Sequence, residues 1–308
     1  LEDFGVKFDI WFRESTLHDD GTAKKMLEYL KEKEFIYEKD GALWLKTIPF
    51  GDDKDRVVIS REGKTTYLAS DIAYHYNKFN RGFSKIIDIW GADHHGYVAR
   101  IKATAEALGY KKDDVIIILY QLVNLLRDGK QVAMSTRTGE FVTLKEVVDE
   151  VGKNVARFYF IMRTSGSHLD FDLELAKKQS MENPVYYIQY AYARISSIFN
   201  EAAKNGIDIN KLIDADLSLL TNMEELQIIK KIAYFPDIVE ESARTYEPHR
   251  IVNFLQELAG MFHPYYNKYR IIGDEIKITQ SRLFFLKCLS VVIKNALSLL
   301  GIDAPERM

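Results

Sequence analysis

Hydrophobic and polar positions follow two regimes along the chain. Up to about residue 143 the apolar runs are short. Residues 55–60 (DRVVIS) and 65–70 (TTYLAS) flank the polar turn 61–64 (REGK), a pattern that predicts a β-hairpin. Residues 84–91 (SKIIDIWG) and 114–123 (DVIIILYQLV) are compact apolar runs of the kind carried by buried parallel strands. Between them, residues 93–109 have helical spacing, so strand, helix and strand predict a βαβ unit. Ligands of such sheets sit beyond the carboxyl ends of the strands, where GADHHG (91–96) and the loop 133–139 fall.

From about residue 144 the strand pattern gives way to amphipathic helix. Residues 144–162 and 183–205 are helical by spacing, with Pro184 suited to a first turn. Further helical runs cover about 221–245, 248–269 and 279–300, and Gly301 stands where a C-cap glycine belongs. Residues 206–220 read as a loop between long helices. The predicted organisation is an α/β part over 1–143, a helical connection over 144–180 and a helical bundle over 181–308.

Composition narrows the class. Of the 308 residues, 47% are hydrophobic and 28% charged, the balance of a soluble globular protein. No apolar run nears the roughly 18 residues of a membrane span, and no secretory leader is visible at the start. The single cysteine, Cys288, excludes a disulfide framework and a cysteine-rich zinc site, so a cytoplasmic protein without membrane attachment is expected. A net charge of −3 argues against indiscriminate nucleic-acid binding; any such partner must be met by a local patch and by shape.

Five stretches carry candidate chemistry. In GADHHGYVARIKA (91–103), Gly91 ends a strand and lets a ligand approach the backbone, while Asp93 sits at a helix mouth. Asp93 can be a helix cap beside solvated histidines, or a partner for a nucleotide ribose. His94 and His95 point about 100° apart on a helix and are poor partners for one metal ion, so no metal site is expected. In TTYLASDIAYHYNKF (65–79), Asp71 is either a carboxylate favoured by a helix dipole or the partner of a cationic ligand, with Tyr67 four residues before it. FDIWFRESTL (8–17) reads as an edge strand ending in a charged turn at Glu14. YYIQYAYAR (186–194) and FHPYYNKYR (262–270) are tyrosine clusters, mostly core, whose exposed rings with Arg194 would suit unstacked RNA bases.

Taken in order, YLASDIAYH, GADHHGYVARIKA, MSTRTGEFVTL, NPVYYIQYAYARI and the terminal LGIDAPERM resemble arginyl-tRNA synthetase, a class I enzyme, over essentially the whole chain. The resemblance implies the second part of a Rossmann-type catalytic domain, with part of its insertion, followed by an all-α anticodon-binding bundle. It implies ATP-dependent ligation of arginine to its tRNA through arginyl-adenylate, with ATP carried by Mg2+. It places the arginine pocket on Glu14, Tyr67, Asp71 and His95, and the ATP on Gly91, Asp93, Met134 and Ser135. Met134, Ser135, Thr136 and Arg137 occupy the KMSKS loop that attends pyrophosphate departure; Ala133 and Thr136 stand where that pattern has lysines. Tyr187, Arg194, Tyr266 and Met308 match tRNA-contacting positions. A monomer is expected. None of the seven histidines forms the His-x-Gly-His pattern of the class, so the chain is expected to be a fragment of a longer enzyme, inactive alone. The rival expectations are a non-catalytic RNA-binding paralogue and another class I synthetase such as the cysteinyl type, against which the lack of cysteine zinc ligands speaks.

Overall fold

The computed structural model describes residues 1–132 and 142–308. The chain forms two compact units, residues 8–122 and residues 1–7 with 123–308. These divide the chain elsewhere than the sequence-based boundaries at 143 and 180.

The 8–122 unit opens with α1 (Thr16–Asp19) and α2 (Thr22–Glu32), in place of the edge strand expected around Glu14. Ala23, Met26, Leu27 and Leu30 bury one stripe of α2, the i, i+3, i+4, i+7 spacing of an amphipathic helix. A hairpin that the apolar pattern does not announce follows: β1 (Ile36–Lys39) and β2 (Ala42–Leu45) pair antiparallel through Asp40-Gly41. Both turn residues have positive φ, at 51° and 74°, as a two-residue primed turn requires. β3 (Arg56–Ile59) adds to β2 with a register shift at Leu43/Trp44.

The second half of the expected 55–70 hairpin is not a strand. Only Ile59 bridges Thr65; Thr66 is an extended N-cap, and α3 runs Tyr67–Asn80. Leu68, Ala69, Ile72, Ala73 and Phe79 are buried at helical spacing, and that long periodic face outweighs the β-branched pair at its start. The βαβ unit is present: β4 (Ile86–Gly91), α4 (Val98–Ala107) and β5 (Val115–Tyr120), with β4 and β5 parallel from Ile86↔Val115 to Gly91↔Tyr120. A six-residue 3-10 turn, residues 92–97, separates β4 from α4. β4 is not buried on both faces as its apolar run suggested. Ile86 and Asp88 point inward, while Ile87 and Ile89 are 46% and 66% exposed.

The other unit starts with a small sheet. β6 (Val123–Arg127) pairs antiparallel with β7 (Lys130–Gln131) and parallel with β8 (Leu169–Asp172), so the predicted connection over 144–180 is not wholly helical. The helical run 144–162 splits at Gly152 (φ +84°) into α5 (Leu144–Val151) and α6 (Lys153–Ile161). A short α7 (Leu173–Lys177) leads to α8 (Pro184–Lys204), whose Asn183 side chain accepts from the Val185 N–H and whose Pro184 takes the first turn. The run 221–245 breaks at Tyr234, just before Pro236, into α9 (Met223–Ala233) and α10 (Phe235–Thr245). α11 (His249–Lys268) and α12 (Ile276–Leu299) complete the bundle. Its core includes Phe158, Phe171, Ile188, Ile195, Phe254, Phe262, Tyr265 and Phe285. Gly301, at φ +67°, closes α12 with the Ile302 N–H reaching the Leu297 carbonyl, the Schellman arrangement. Arg157 of α6 lies against it, with Nε donating to the Leu300 carbonyl and Nη1 to the Phe4 carbonyl, each at 3.0 Å.

Candidate functional site

A cleft of about 520 Å³ opens at the carboxyl end of β4. Its lining is Glu14, Tyr67, Asp71, Ile89, Trp90, Gly91, His94 and Tyr97. Tyr67 and Asp71 share one face of α3 because four residues make about one turn. Tyr67, at the helix start, is 87% exposed and free to lie along a ligand. Glu14 stands before α1, where its carbonyl accepts from the Leu17 N–H and buried Leu17 anchors the segment. Trp90, in edge-to-face contact with Tyr97 at 6.1 Å and with His94 at 6.4 Å, makes an aromatic wall.

The electrostatics favour a cation. Burial raises the Asp71 pKa above the ordinary carboxylate value, and the charge of Glu14 raises it further; Tyr97, His75 and Lys78 pull the other way without prevailing. Two carboxylates thus line one cleft, and an entering positive charge would relieve both the repulsion and the lost hydration. Burial, followed by the nearby Asp71 charge, pushes the Tyr97 phenol up to about 12, so it stays a neutral donor.

The cleft gathers Glu14, Tyr67, Asp71 and Gly91, four of the residues singled out from sequence. A Cβ at position 91 would stand 2.6 Å from Asp93 Oδ1, the tip of an exposed side chain that can turn aside, so neither space nor backbone conformation demands glycine there. His95 is absent from the lining; it is exposed, and its Nδ1 lies 3.2 Å from the Ala92 carbonyl. Its neighbour His94 faces the cleft instead, since adjacent residues on a tight turn cannot share a direction. Asp93 is also outside the lining, with Oδ2 3.7 Å from His94 Nε2, and no side-chain cap bond is present at that turn. Trp90 and Tyr97 were missed because an aromatic beside a strand end reads as core. Met134, Ser135, Thr136 and Arg137 lie outside the described residues.

In the helical unit, Tyr187, Arg194 and Tyr266 form one cluster. The Arg194 guanidinium lies between the Tyr190 and Tyr266 rings at 4.5 Å from each, and Nη2 donates to the Tyr190 hydroxyl at 3.1 Å. His263 Nε2 donates to the Tyr187 carbonyl at 3.0 Å and packs its ring 4.4 Å from that of Tyr187. Burial, then the Arg194 charge, lowers the His263 pKa. The rings of Tyr186, Tyr187 and Tyr190 are half-buried and Tyr192 is buried, so the expected freely exposed tyrosines are instead partly covered. Met308 belongs to a different hollow of about 410 Å³, with Tyr186, Gln189 and Lys178.

Comparison with known proteins also finds two parts, with limits that differ from those of the compact units. Residues 4–163 match the family described as tRNA synthetases class I (R), catalytic domain, and residues 188–308 match the DALR anticodon binding domain. An arginine–tRNA ligase of Citrifermentans bemidjiense is 58% identical over the whole chain, which spans 56% of that relative's length. A solved arginyl-tRNA synthetase structure from Campylobacter jejuni, 37% identical, superposes with a TM-score of 0.91 over all of this chain and 66% of that one. The Thermus thermophilus arginyl-tRNA synthetase, at 20% identity, shares the fold with a TM-score of 0.82 over all of this chain and 61% of its own. The match over more than half of the residues, in a chain whose β4 end carries an acidic, aromatic cleft, places it in the arginyl-tRNA synthetase family of class I aminoacyl-tRNA synthetases.

Proposed function

We propose that the complete protein charges tRNA with arginine. The arginine carboxylate attacks the α-phosphorus of ATP, delivered with Mg2+, giving arginyl-adenylate and pyrophosphate. A terminal ribose hydroxyl of the tRNA then takes the arginyl group and releases AMP. The observation that carries this reading is the cleft itself, in which Asp71 and Glu14 meet beside Tyr67 and Trp90. A guanidinium wants planar carboxylate partners and aromatic faces. A neutral analogue would leave both carboxylates unpaired, which makes such a site selective.

In this reading Gly91 gives ATP close access to the strand end, with Asp93 beside it and His95 at the rim of the arginine pocket. Met134, Ser135, Thr136 and Arg137 stabilise charge as pyrophosphate leaves. As functional parts, distinct from the compact units of the fold, this reading takes 1–143, 144–180 and 181–308. Tyr187, Arg194 and Tyr266 contact the anticodon arm, Met308 contributes from its separate hollow, and the enzyme acts as a cytoplasmic monomer. The 308-residue chain alone does not make the adenylate, because it lacks the His-x-Gly-His pattern.

The test has two arms. The complete protein should show arginine-dependent charging, and Asp71→Asn should lower kcat/KM for arginine by roughly a thousandfold, in line with a lost partner of a desolvated charge. The 308-residue chain should show no arginine-dependent ATP–pyrophosphate exchange. Unchanged arginine kinetics in Asp71→Asn, or robust exchange by the 308-residue chain, would remove the corresponding part of the proposal.

A further inference from the structure

Behind the cleft lies a carboxylate with no place in the proposed reaction. Asp88 sits on the inward face of β4, only 8% exposed, three residues before Gly91. Its Oδ2 is 2.8 Å from Nε2 of His75, and its Oδ1 accepts from Lys78 Nζ. His75 is 2% exposed, and its Nδ1 lies 2.8 Å from the backbone carbonyl of Asp71.

The four residues Tyr67, Asp71, His75 and Lys78 fall on one stripe of α3, at spacings of four, four and three. The first two line the cleft, and the last two hold Asp88. On β4 the same division recurs: Asp88 is inside, and Ile89, Trp90 and Gly91 line the cleft. One buried carboxylate therefore joins the two walls. The third wall is reached through Lys78, whose ammonium lies 4.4 Å from the centre of the Tyr74 ring. Tyr74 stacks on Phe12 at 4.7 Å and 18°, and Phe12 is two residues from Glu14.

Burying a carboxylate here carries a desolvation cost, and an apolar side chain of similar size would stabilise the α3–β4 contact at least as well. What an ionic cluster adds is geometry. Apolar surfaces tolerate a slide of an ångström, whereas hydrogen bonds of 2.8 Å do not. We infer that Asp88, with His75 and Lys78, is a positioning cluster that fixes the separation of the α3 and β4 walls and so sets the length of cationic side chain the cleft accepts. This rests on the reading of the cleft as an arginine site.

The experiment is calorimetric titration of the complete protein with arginine and with homoarginine, which is longer by one methylene. The unaltered protein should prefer arginine by ten- to a hundredfold, the usual worth of a methylene in a fitted site. Asp88→Asn keeps the shape but loses the charge; it should weaken arginine about tenfold while changing homoarginine by less than twofold, so the preference collapses. Lys78→Met, which keeps the stem, should move the ratio the same way by a smaller factor, and it decides the matter if Asp88→Asn does not fold. If both ligands weaken equally and the ratio stands, the cluster serves stability alone and the inference is overturned. Failure of the unaltered protein to bind arginine would instead remove the arginine reading, and with it this inference, a result distinct from an unchanged ratio.

Discussion

Replacing Gly301 with alanine should destabilise the helical unit by more than its backbone alone explains. Position 301 has φ +67°, a left-handed conformation that costs an L-residue with a side chain about 1–2 kcal/mol. A Cβ there would also stand 2.6 Å from Arg157 Nη2 and 2.8 Å from Cζ and Nε. The guanidinium must move, and it makes two bonds to backbone carbonyls, those of Leu300 and Phe4. Hydrogen bonds from a charged donor contribute about 1.5 kcal/mol each at the low end. The sum for Gly301→Ala is about 4–5 kcal/mol. Arg157→Ala alone should cost about 3 kcal/mol from the same bonds, with a further fraction from its position 5.4 Å from the Phe4 ring. Once Arg157 is gone, Gly301→Ala should cost only its backbone share, about 1–2 kcal/mol. The double-mutant cycle, read by urea unfolding with near-ultraviolet circular dichroism, should thus show coupling of about 3 kcal/mol. Equal costs of Gly301→Ala in both backgrounds would refute the steric reasoning.

Two pH dependences follow from the site geometry. Burial raises the Asp71 pKa, so its folded value lies above its unfolded one, and the carboxylate that would hold a cation is lost at a higher pH than for an exposed aspartate. Arginine affinity should be flat near neutrality and fall as pH drops through that raised value; Asp71→Asn should remove the titration, and a profile identical in both proteins would contradict the assignment. His263 is shifted the other way, below its ordinary 6.5, so the unfolded chain takes up a proton first as pH falls. The helical unit should therefore lose stability on going below about 6.5 until the folded pKa is passed, and His263→Asn should flatten that slope in a melting series; a slope unaltered by the substitution would assign it elsewhere.

Much of the arrangement was legible because apolar spacing and chain punctuation agreed. The runs 84–91 and 114–123 became β4 and β5, and Pro184 and Gly301 bound their helices as expected. Where local signals conflicted, the longer-range one won. Thr65 and Thr66 favour a strand, but the buried face from Leu68 to Phe79 drew the segment into α3. Asp40-Gly41 is a strong turn signal flanked by strands too short and too mixed to stand out. In the cleft, the residues alone left Asp71 divided between a helix-end carboxylate and a cation partner, and Glu14 read as part of a turn; only the family resemblance put both in one pocket. Trp90 and Tyr97 were not singled out, since pattern does not say on which side of a strand end a ring will lie. Asp88 was hidden for a similar reason: an acid inside an apolar run gives no sign of the His75 and Lys78 that receive it from another element.

The division of the chain has a bearing on the order in which it folds as it is made. Residues 1–7 belong with 123–308, while the intervening 8–122 form a unit of their own. Residues 1–7 therefore emerge well before their partners, and the Phe4 carbonyl waits for Arg157, 153 positions later. The middle unit is contiguous and can collapse during that interval, and only synthesis through α12 and Leu300 lets Arg157 make both of its carbonyl contacts. Such remote closure slows the final step relative to the local helices. A ribosome paused before residue 157 should thus display a protease-resistant 8–122 unit while residues 1–7 are still cleavable.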